Sequence, residues 1–339
     1  MAGVLIADLP AGRLVDRIGE RMAMIWGSIA GALGVFLVAF SNNLWLMGFG
    51  VFSLGVGVAI FALARHAFFA EHIPLDFRAR ALSLLGGTFR AGAFIGPLLG
   101  SALISIWGVH SVYWLSACAS LAAGLILLST KPERIKSTPL TQKGGIWATA
   151  KREAKPLLTL GVGAAILGAI RTTRQVGLPL WALYISLSPS ESSFYIGLAG
   201  VLDFALFYTS GQIMDRWGRF WAAVPPLLGL AILHIFIFTV HDGTGFLLMA
   251  GAMALANGFG SGIILTMGAD LAPADSRNEF LASYRLITDV GVASAPPLLS
   301  ILTSAVGLAA GMAAFGVVGL FGAGLLWRYI PKFIPAKRN

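Results

Sequence analysis

Long apolar runs separated by short polar segments dominate this chain of 339 residues. A helix that crosses a bilayer needs about 20 predominantly apolar residues. Runs of that length predict membrane-spanning helices at 22–41, 44–66, 81–106, 111–130, 157–186, 192–213, 220–240, 245–268, 279–304 and 307–328, with a shorter apolar stub at 1–11. The pattern therefore predicts an all-α polytopic membrane protein with about ten full spans.

The polar segments contain an internal repeat. Asp-Arg-Ile-Gly at 16–19 recurs as Asp-Arg-Trp-Gly at 215–218, a step of 199 residues, and the same step relates Gly12 to Gly211. A register of that length predicts two pseudo-symmetric six-helix halves. The counterpart of the helix at 157–186 would precede Met1, so we expect the first half to be incomplete. A misplaced start codon or a genuine fragment would explain this.

Charge divides the chain further. We predict an N-terminal transmembrane half at 1–130, a cytoplasmic linker at 131–156, a C-terminal half at 157–328 and a cytoplasmic tail at 329–339. The linker holds seven Lys and Arg residues against two acidic ones. Within it, 146–155 is either a short amphipathic helix on an anionic membrane surface or part of a flexible tether.

Orientation follows from the alternation of charged and uncharged loops. Lys and Arg concentrate in 12–21, 67–80, 131–156, 214–219, 269–278 and the tail, whereas the alternate connections contain none. The positive-inside rule places the basic loops and the C-terminus in the cytoplasm. We therefore expect a multi-pass protein of a bacterial-type inner membrane.

Composition excludes several other classes of protein. Apolar residues make up 57% of the chain, charged residues 12%, and the mean hydropathy is +0.82, which is unlike a soluble domain. The net charge of +9 follows the loops, so it indicates topology and not nucleic-acid binding. One cysteine and five scattered histidines predict no metal site. Because no nucleophile–base set appears either, we expect neither an enzyme nor a bound cofactor.

The segment 12–21 resembles the loop signature of the major facilitator superfamily, G-x-x-x-D-R-x-G-[RK]-[RK], although Glu20 departs from it. The copy at 211–219 fits through its ninth position, and 92–101 resembles the family's antiporter motif with Ser101 in place of the final glycine. The resemblance extends from the second helix of the fold onward. It implies a monomeric secondary transporter that moves a small-molecule substrate, with protons as the coupling ion, by alternating access.

The resemblance also assigns roles to the motif residues. It places a cytoplasmic gate at Gly12, Asp16, Arg17, Gly19 and Arg21, and at Gly211, Asp215, Arg216, Gly218 and Arg219. The first copy would contact the start of the helix near 279–280. The alternative is a charged turn that only fixes topology. In the antiporter motif, Gly92, Gly96, Pro97 and Gly100 would allow close helix packing or an antiport-related bend.

Ionisable groups within a span cost about 2.5–3.5 kcal/mol each on insertion scales, so each needs a partner or a function. The candidates for a substrate or proton pathway are Arg90, Arg171, Arg174, Gln175, Asp203 and Asp289. Depth in the membrane and the family's helix order predict an ion pair between Arg90 and Asp203. They predict a second interface pair between Asp8 and Arg285. Either pair would break during transport or would be a static structural pair.

Arg171 and Arg174 share a helix face near mid-membrane. Two unpaired cations there would attract an anionic substrate or keep Asp289 ionised. Asp203 and Asp289 are the expected proton carriers, because burial favours the neutral form of a carboxyl group.

One departure from the family's pattern weighs against drug efflux. Drug/proton antiporters of the family usually carry an arginine four residues before a glycine in the helix at 44–66, and alignment on Gly55 puts Val51 there. The leading hypothesis remains proton-coupled efflux by antiport. The alternatives are uptake or symport of an organic anion, and a non-transporting fragment or assembly partner.

Overall fold

The structure, a computed structural model, describes residues 3, 6–7, 14–15, 17–72, 75–129, 146–273 and 276–334, with side chains at all of these except 66–67, 69–72, 75–86, 146 and 277–279. Helices and turns account for this part of the chain, and no strand occurs within it. The all-α prediction is confirmed.

The helices alternate with short connections along the chain. They are α1 Glu20–Phe40, α2 Leu44–His72, α3 Leu75–Trp107, α4 Ser111–Leu128, α5 Ile146–Arg152, α6 Val162–Tyr184, α7 Pro189–Ala205, α8 Phe207–Arg216, α9 Arg219–Ile235, α10 Gly243–Phe259, α11 Ile263–Leu271, α12 Arg277–Val306 and α13 Leu308–Phe333.

Ten helical segments of the described chain are long and apolar enough to cross a membrane, at the places that the apolar runs predicted. Large apolar side chains remain exposed along them. Trp45 is 87% exposed and Leu265 is 79% exposed. A water-soluble protein rarely leaves so many large apolar side chains uncovered. The chain is a multi-pass membrane protein.

Two predicted connections, 67–80 and 186–191, are partly helical. Residues 67–80 were expected to connect two spans, but α2 continues to His72 and α3 begins at Leu75. Similarly, α7 begins at Pro189, because Ser188 and Glu191 form a reciprocal capping box before the apolar run starts. Hydropathy marks only the apolar part of a helix, so polar helix ends were assigned to loops.

Two predicted spans are interrupted. The span at 245–268 is divided into α10 and α11 by a turn at Gly260–Gly262, where Gly262 has φ +75°. The span at 192–213 is divided into α7 and α8 at Leu206. An interrupted helix leaves backbone carbonyl groups that need partners other than the helix itself.

Part of the predicted linker is helical. α5 covers Ile146–Arg152 and is followed by a short turn, Ala154–Pro156, and a π-helical turn, Leu157–Gly161, that leads into α6. Arg152 donates a hydrogen bond from Nη2 to the Ser276 hydroxyl before α12 (2.5 Å). The first part of this segment, 146–152, is therefore helical. Its contact with lipid stays a prediction, and 130–145 lie outside the described residues.

The 199-residue repeat recurs in the backbone conformation. Gly19 and Gly218 both have positive φ, with φ/ψ of 81°/160° and 87°/174°, and each directly precedes a helix. Gly108 and Gly307 also form a pair at this spacing, with φ of 77° and 88°. Because the conformation of Gly19 and Gly218 is essentially restricted to glycine, the repeat preserves a backbone requirement as well as a sequence.

The chain divides into two compact units, Met1–Phe89 with Ala102–Leu140, and Arg90–Ser101 with Thr141–Asn339. In the first unit, α1 packs against α2 and α4. The approach of α1 to α2 is close at Gly57, where an added Cβ would lie 2.5 Å from the Gly27 carbonyl oxygen. In the second unit, α6 contacts α7, α9, α10, α12 and α13. The domain boundaries proposed from charge stay a prediction.

Candidate functional site

A charged cluster lies around Asp203 in the second unit. The Asp203 Oδ1 atom is 3.1 Å from Arg90 Nη1, and its Oδ2 atom is 2.9 Å from Arg174 Nη2. Asn257 donates from Nδ2 to the same Oδ2 atom at 2.6 Å. Four helices thus meet at one carboxylate, α7 through Asp203, α3 through Arg90, α6 through Arg174 and α10 through Asn257. The expected pair of Arg90 with Asp203 is confirmed, while its role in transport stays a prediction.

Two glycines on α7 allow the Arg90–Ser101 part of α3 to reach Asp203. A Cβ added at Gly197 would lie 2.7 Å from Leu98 Cγ, and one added at Gly200 would lie 2.8 Å from Phe94 Cβ. At the far end of this contact, Ser101 donates to the Ser190 carbonyl group at 2.9 Å. Small residues therefore bring two helices together where a charged pair crosses between them.

A cavity of about 160 Å³ adjoins the cluster. Its polar lining comes from Arg90, Arg174, Gln175 and Asp203. The rest of the lining is mostly apolar and includes Leu178, Pro179, Ile196, Phe204 and Ala250. An apolar pocket with a few convergent polar groups is the usual form of a small-molecule site.

The charged groups of the cluster are unequal in number. Arg90 and Arg174 oppose one carboxylate, and Arg171 lies one turn before Arg174 on α6. Arg90 also lies over the Phe207 ring, with its guanidinium carbon 4.9 Å from the ring centroid. This cation–π contact helps to stabilise the Arg90 charge, because Arg90 shares the single Asp203 carboxylate with Arg174. The described side chains around the cavity therefore carry an excess of positive charge.

The expectation of two unpaired cations on α6 is wrong. Arg174 is ion-paired with Asp203, and Arg171 donates from Nη2 to the Gly260 carbonyl oxygen at 2.7 Å. Sequence spacing placed both arginines on one face, but the neighbours of that face differ from one helical turn to the next. Gln175 lines the cavity and is exposed, while its role in a substrate or proton pathway stays a prediction.

Asp289 lies apart from these arginines on α12. Its Oδ2 atom is 3.4 Å from Arg285 Nε, one turn away on the same helix, and the two side chains are 38% and 66% exposed. This intrahelical pair differs from the predicted pairing of Arg285 with Asp8, which lies outside the described residues. A function for Asp289 in proton transfer stays a prediction.

The second copy of the repeated signature forms a compact charged turn before α9. Arg219 donates from Nε to Asp270 Oδ2 at 2.7 Å and from Nη1 to the Met214 carbonyl at 2.8 Å. Its distance to Asp215 Oδ1 is 3.8 Å, and the Asp215 side chain is 84% exposed. Arg219 thereby links the C-terminal ends of α8 and α11 through hydrogen bonds. Arg216 is exposed, and Gly211 has open space at its Cβ position.

In the first copy, Gly12 and Asp16 lie outside the described residues. Arg21 donates from Nε and Nη2 to the carbonyl oxygens of Leu127 and Leu128, both at 2.9 Å. A cation at this position satisfies carbonyl groups at the C-terminal end of α4 and interacts favourably with its dipole. Arg17 is exposed. Of the predicted contact with 279–280, the Glu279 side chain lies outside the described part of the chain, and Phe280 is fully buried.

The antiporter motif lies in an unbroken stretch of α3 that includes Pro97. Among the described residues, no atom lies within 4 Å of a Cβ added at Gly92, Gly96 or Gly100. The close packing expected at these glycines is thus not observed in this part of the chain. Close approach occurs instead at Gly197 and Gly200, which the sequence analysis did not identify.

Two further polar residues with partners in this unit, Asn257 and Asp270, were not predicted from the sequence. Asn257 lies within an apolar run, and Asp270 lies in a predicted basic loop. Each acquires its partner only when α10 and α11 fold beside other helices. A sequence signal for the break next to Asn257 was available, because Gly258, Gly260 and Gly262 alternate along the run.

Comparisons with known proteins agree with this architecture. A family model described as Major Facilitator Superfamily matches residues 1–268. The chain is 26% identical over 261 residues to the tetracycline resistance protein, class B, of Escherichia coli, which covers 73% of this chain and 62% of that protein. It is 25% identical over 288 residues to the multidrug resistance protein MdtH of Yersinia pestis (strain Pestoides F), which covers 81% of this chain and 68% of that protein. The match thus spans less than two thirds of the tetracycline resistance protein.

Solved structures share the fold at low sequence identity. A POT family transporter in complex with 5-aminolevulinic acid superposes with a TM-score of 0.77 at 13% identity, covering 98% of this chain and 86% of that one. A D-xylose-proton symporter superposes with a TM-score of 0.72 at 18% identity, covering 99% of this chain and 87% of that one. These likenesses concern the helical architecture and not the substrate.

Proposed function

The chain belongs to the Major Facilitator Superfamily of membrane transporters, and on that premise we propose that it exports a small solute in exchange for protons by alternating access. It acts as a transporter and not as an enzyme. The observation that carries the exchange proposal is the Asp203 carboxylate, held by Arg90 and Arg174 beside an open cavity. The drug-resistance names of two relatives support the outward direction, although Val51 stands where the family's drug/proton antiporters usually carry arginine.

Exchange requires that proton and solute exclude each other at one group. An ionised Asp203 satisfies two guanidinium groups and the Asn257 amide. A proton on Asp203 removes its charge, so both ion pairs weaken and the arginines must find other partners. A solute that interacts with the ionised carboxylate therefore competes with the proton. This competition is the physical basis of antiport at Asp203.

The excess of positive charge supports a second candidate, symport of an organic anion. A carboxylate-bearing solute would pair with Arg90 or Arg174, and a proton would then neutralise the displaced Asp203. In this case solute and proton would bind together and move in the same direction. Gln175 and the apolar wall would contact the remainder of the solute.

Transport into proteoliposomes with an imposed pH gradient separates the candidates. The purified protein is reconstituted and tested first with tetracycline, suggested by a relative's name, and with benzoate as a simple organic anion. Antiport predicts accumulation in the compartment that supplies the protons. Accumulation in the compartment that receives the protons supports symport. Equal distribution of both solutes under either gradient contradicts both candidates for these solutes and favours the non-transporting alternative.

We further propose a cellular arrangement for this activity. The protein would lie in a bacterial inner membrane as a monomer, with its basic loops and C-terminus in the cytoplasm. The signature turns around Gly19 and Gly218 would form the cytoplasmic gate, and Asp289 would be a second proton carrier. Labelling of a cysteine introduced at exposed Lys332, in the last turn of α13, from either side of oriented vesicles tests the placement of the C-terminus.

A further inference from the structure

The break between α10 and α11 has two buried residues whose backbone carbonyl groups accept hydrogen bonds from side chains of two other helices. Arg171 of α6 donates to the Gly260 carbonyl at 2.7 Å. Ser210 of α8, which is fully buried, donates to the Ser261 carbonyl at 2.8 Å. Within the break, the Ser261 amide bonds to the Gly258 carbonyl at 3.2 Å, and Gly262 has φ +75°. The interruption is therefore stabilised from both sides.

The position of Arg171 favours a role in capping the end of a helix over a role in binding a ligand. The last carbonyl groups of α10 form the negative end of its dipole, which favours a cation. The hydrogen bond that the described structure shows for the Arg171 guanidinium goes to the Gly260 carbonyl, from Nη2. Arg171 is also absent from the lining of the cavity, which Arg174 does line.

The same helix end is connected to the transport site. Asn257 precedes Gly260 by three residues, and the Gly260 amide bonds to the Asn257 carbonyl at 3.2 Å. The Asn257 side chain then donates to Asp203 at 2.6 Å. Two arginines one turn apart on α6 thus contact both groups: Arg171 binds the Gly260 carbonyl at the helix break, and Arg174 binds the Asp203 carboxylate.

We propose that Arg171 is a positioning residue that fixes the break between α10 and α11 and thereby presents Asn257 to Asp203. Loss of charge at Asp203 weakens its hydrogen bond with Asn257, and the end of α10 is then restrained mainly by Arg171 and Ser210. The geometry of the helix break is in this way linked to whether the Asp203 carboxylate is charged. The proposal rests on Asp203 as the transport group, but its structural part is measurable without transport.

A buried thiol at the break provides that measurement. Ser261 is only 2% exposed, so a Ser261→Cys variant in a Cys118→Ser background should react slowly with a water-soluble maleimide. Adding Arg171→Gln should raise the labelling rate about tenfold, the effect of losing one hydrogen bond to a charged group. Arg171→Lys should restore much of the protection, because an ammonium group can still donate to the carbonyl. Arg328→Gln, which removes an exposed guanidinium on α13, is the matched control and should change nothing.

Binding distinguishes positioning from direct contact with solute. Fluorescence titration with tetracycline and with benzoate should give affinities in Arg171→Gln within about threefold of the parent, since a residue outside the cavity contributes little directly. Unchanged labelling in Arg171→Gln overturns the proposal, whatever the result of the titrations. Unchanged labelling together with a selective loss of benzoate affinity would instead make Arg171 a substrate contact. Because labelling needs no gradient, failure of the antiport proposal would leave this test intact.

Discussion

Arg174 Nη2 lies 2.9 Å from Asp203 Oδ2, and the two side chains are only 15% and 14% exposed. This pair joins α6 to α7 within the second unit. At such burial an isolated charge is much less favourable than a paired one, because desolvation is not compensated. The carboxylate therefore organises the helices around it as long as it is ionised.

Removal of either partner should destabilise the protein. Asp203→Asn, which leaves Arg90 and Arg174 without a carboxylate, should lower the free energy of unfolding by about 3–5 kcal/mol, the range for breaking a buried pair. Arg174→Gln should cost less, because Asp203 keeps Arg90 and Asn257. The double variant should lose about as much as Asp203→Asn alone and less than the sum, because both substitutions remove the same Arg174–Asp203 pair and Arg90 lacks its carboxylate with or without Arg174. Unfolding in detergent by a graded denaturant measures these values.

The exposed Arg285–Asp289 pair is the control for this double-mutant cycle. Its side chains are 66% and 38% exposed, so its coupling should be about 0–1 kcal/mol. Equal coupling in the two cycles would show that burial does not strengthen the Asp203 cluster.

Gly218 should tolerate no side chain. Its φ/ψ of 87°/174° is a region essentially restricted to glycine, so Gly218→Ala should cost about 1–3 kcal/mol of stability. Gly324→Ala, at an α13 position with open space around the added Cβ, should be neutral or slightly stabilising. Thermal unfolding of the two variants provides the comparison, and equal melting temperatures would contradict the assigned backbone conformation.

The contact of α3 with α7 can be fixed covalently. The hydroxyl oxygens of Ser101 and Ser190 are 3.1 Å apart, so cysteines at both positions should form a disulfide on mild oxidation. In a Cys118→Ser background, this bond should stop transport if the contact must open, and reduction should restore it. Mobility on non-reducing gels reports the bond, and each single cysteine variant serves as control. Full transport by the oxidised protein would make this contact static during the cycle.

Much of the architecture was predictable because the membrane restricts the possible structures. Apolar runs of bilayer length specified the ten spans, and the 199-residue register correctly anticipated matched turns at Gly19 and Gly218. The Arg90–Asp203 pair was predictable from depth together with the helix order implied by the family resemblance, because an intramembrane charge needs a partner at a similar height.

The partners of the α6 arginines were not predictable in the same way. Spacing showed that Arg171 and Arg174 share a face, but not which neighbouring group lies opposite each turn. Arg171 meets a carbonyl only because α10 ends at the Gly260–Gly262 turn, and hydropathy treated that run as continuous. Asn257 was missed for the same reason, since one amide within an apolar run gives no periodic signal.

The central claim is that Asp203 couples protons to solute movement. The most direct measurement compares two modes of transport by Asp203→Asn in proteoliposomes, accumulation driven by a pH gradient and exchange of labelled for unlabelled solute without a gradient. Asp242→Asn is the control, because Asp242 caps α10 outside the cluster and asparagine caps equally well. The account predicts that Asp203→Asn, in which a neutral amide replaces the ionised carboxylate that the solute needs, loses both gradient-driven accumulation and exchange, while Asp242→Asn retains both. Accumulation by Asp203→Asn at the parental level and with the parental dependence on the gradient would contradict it.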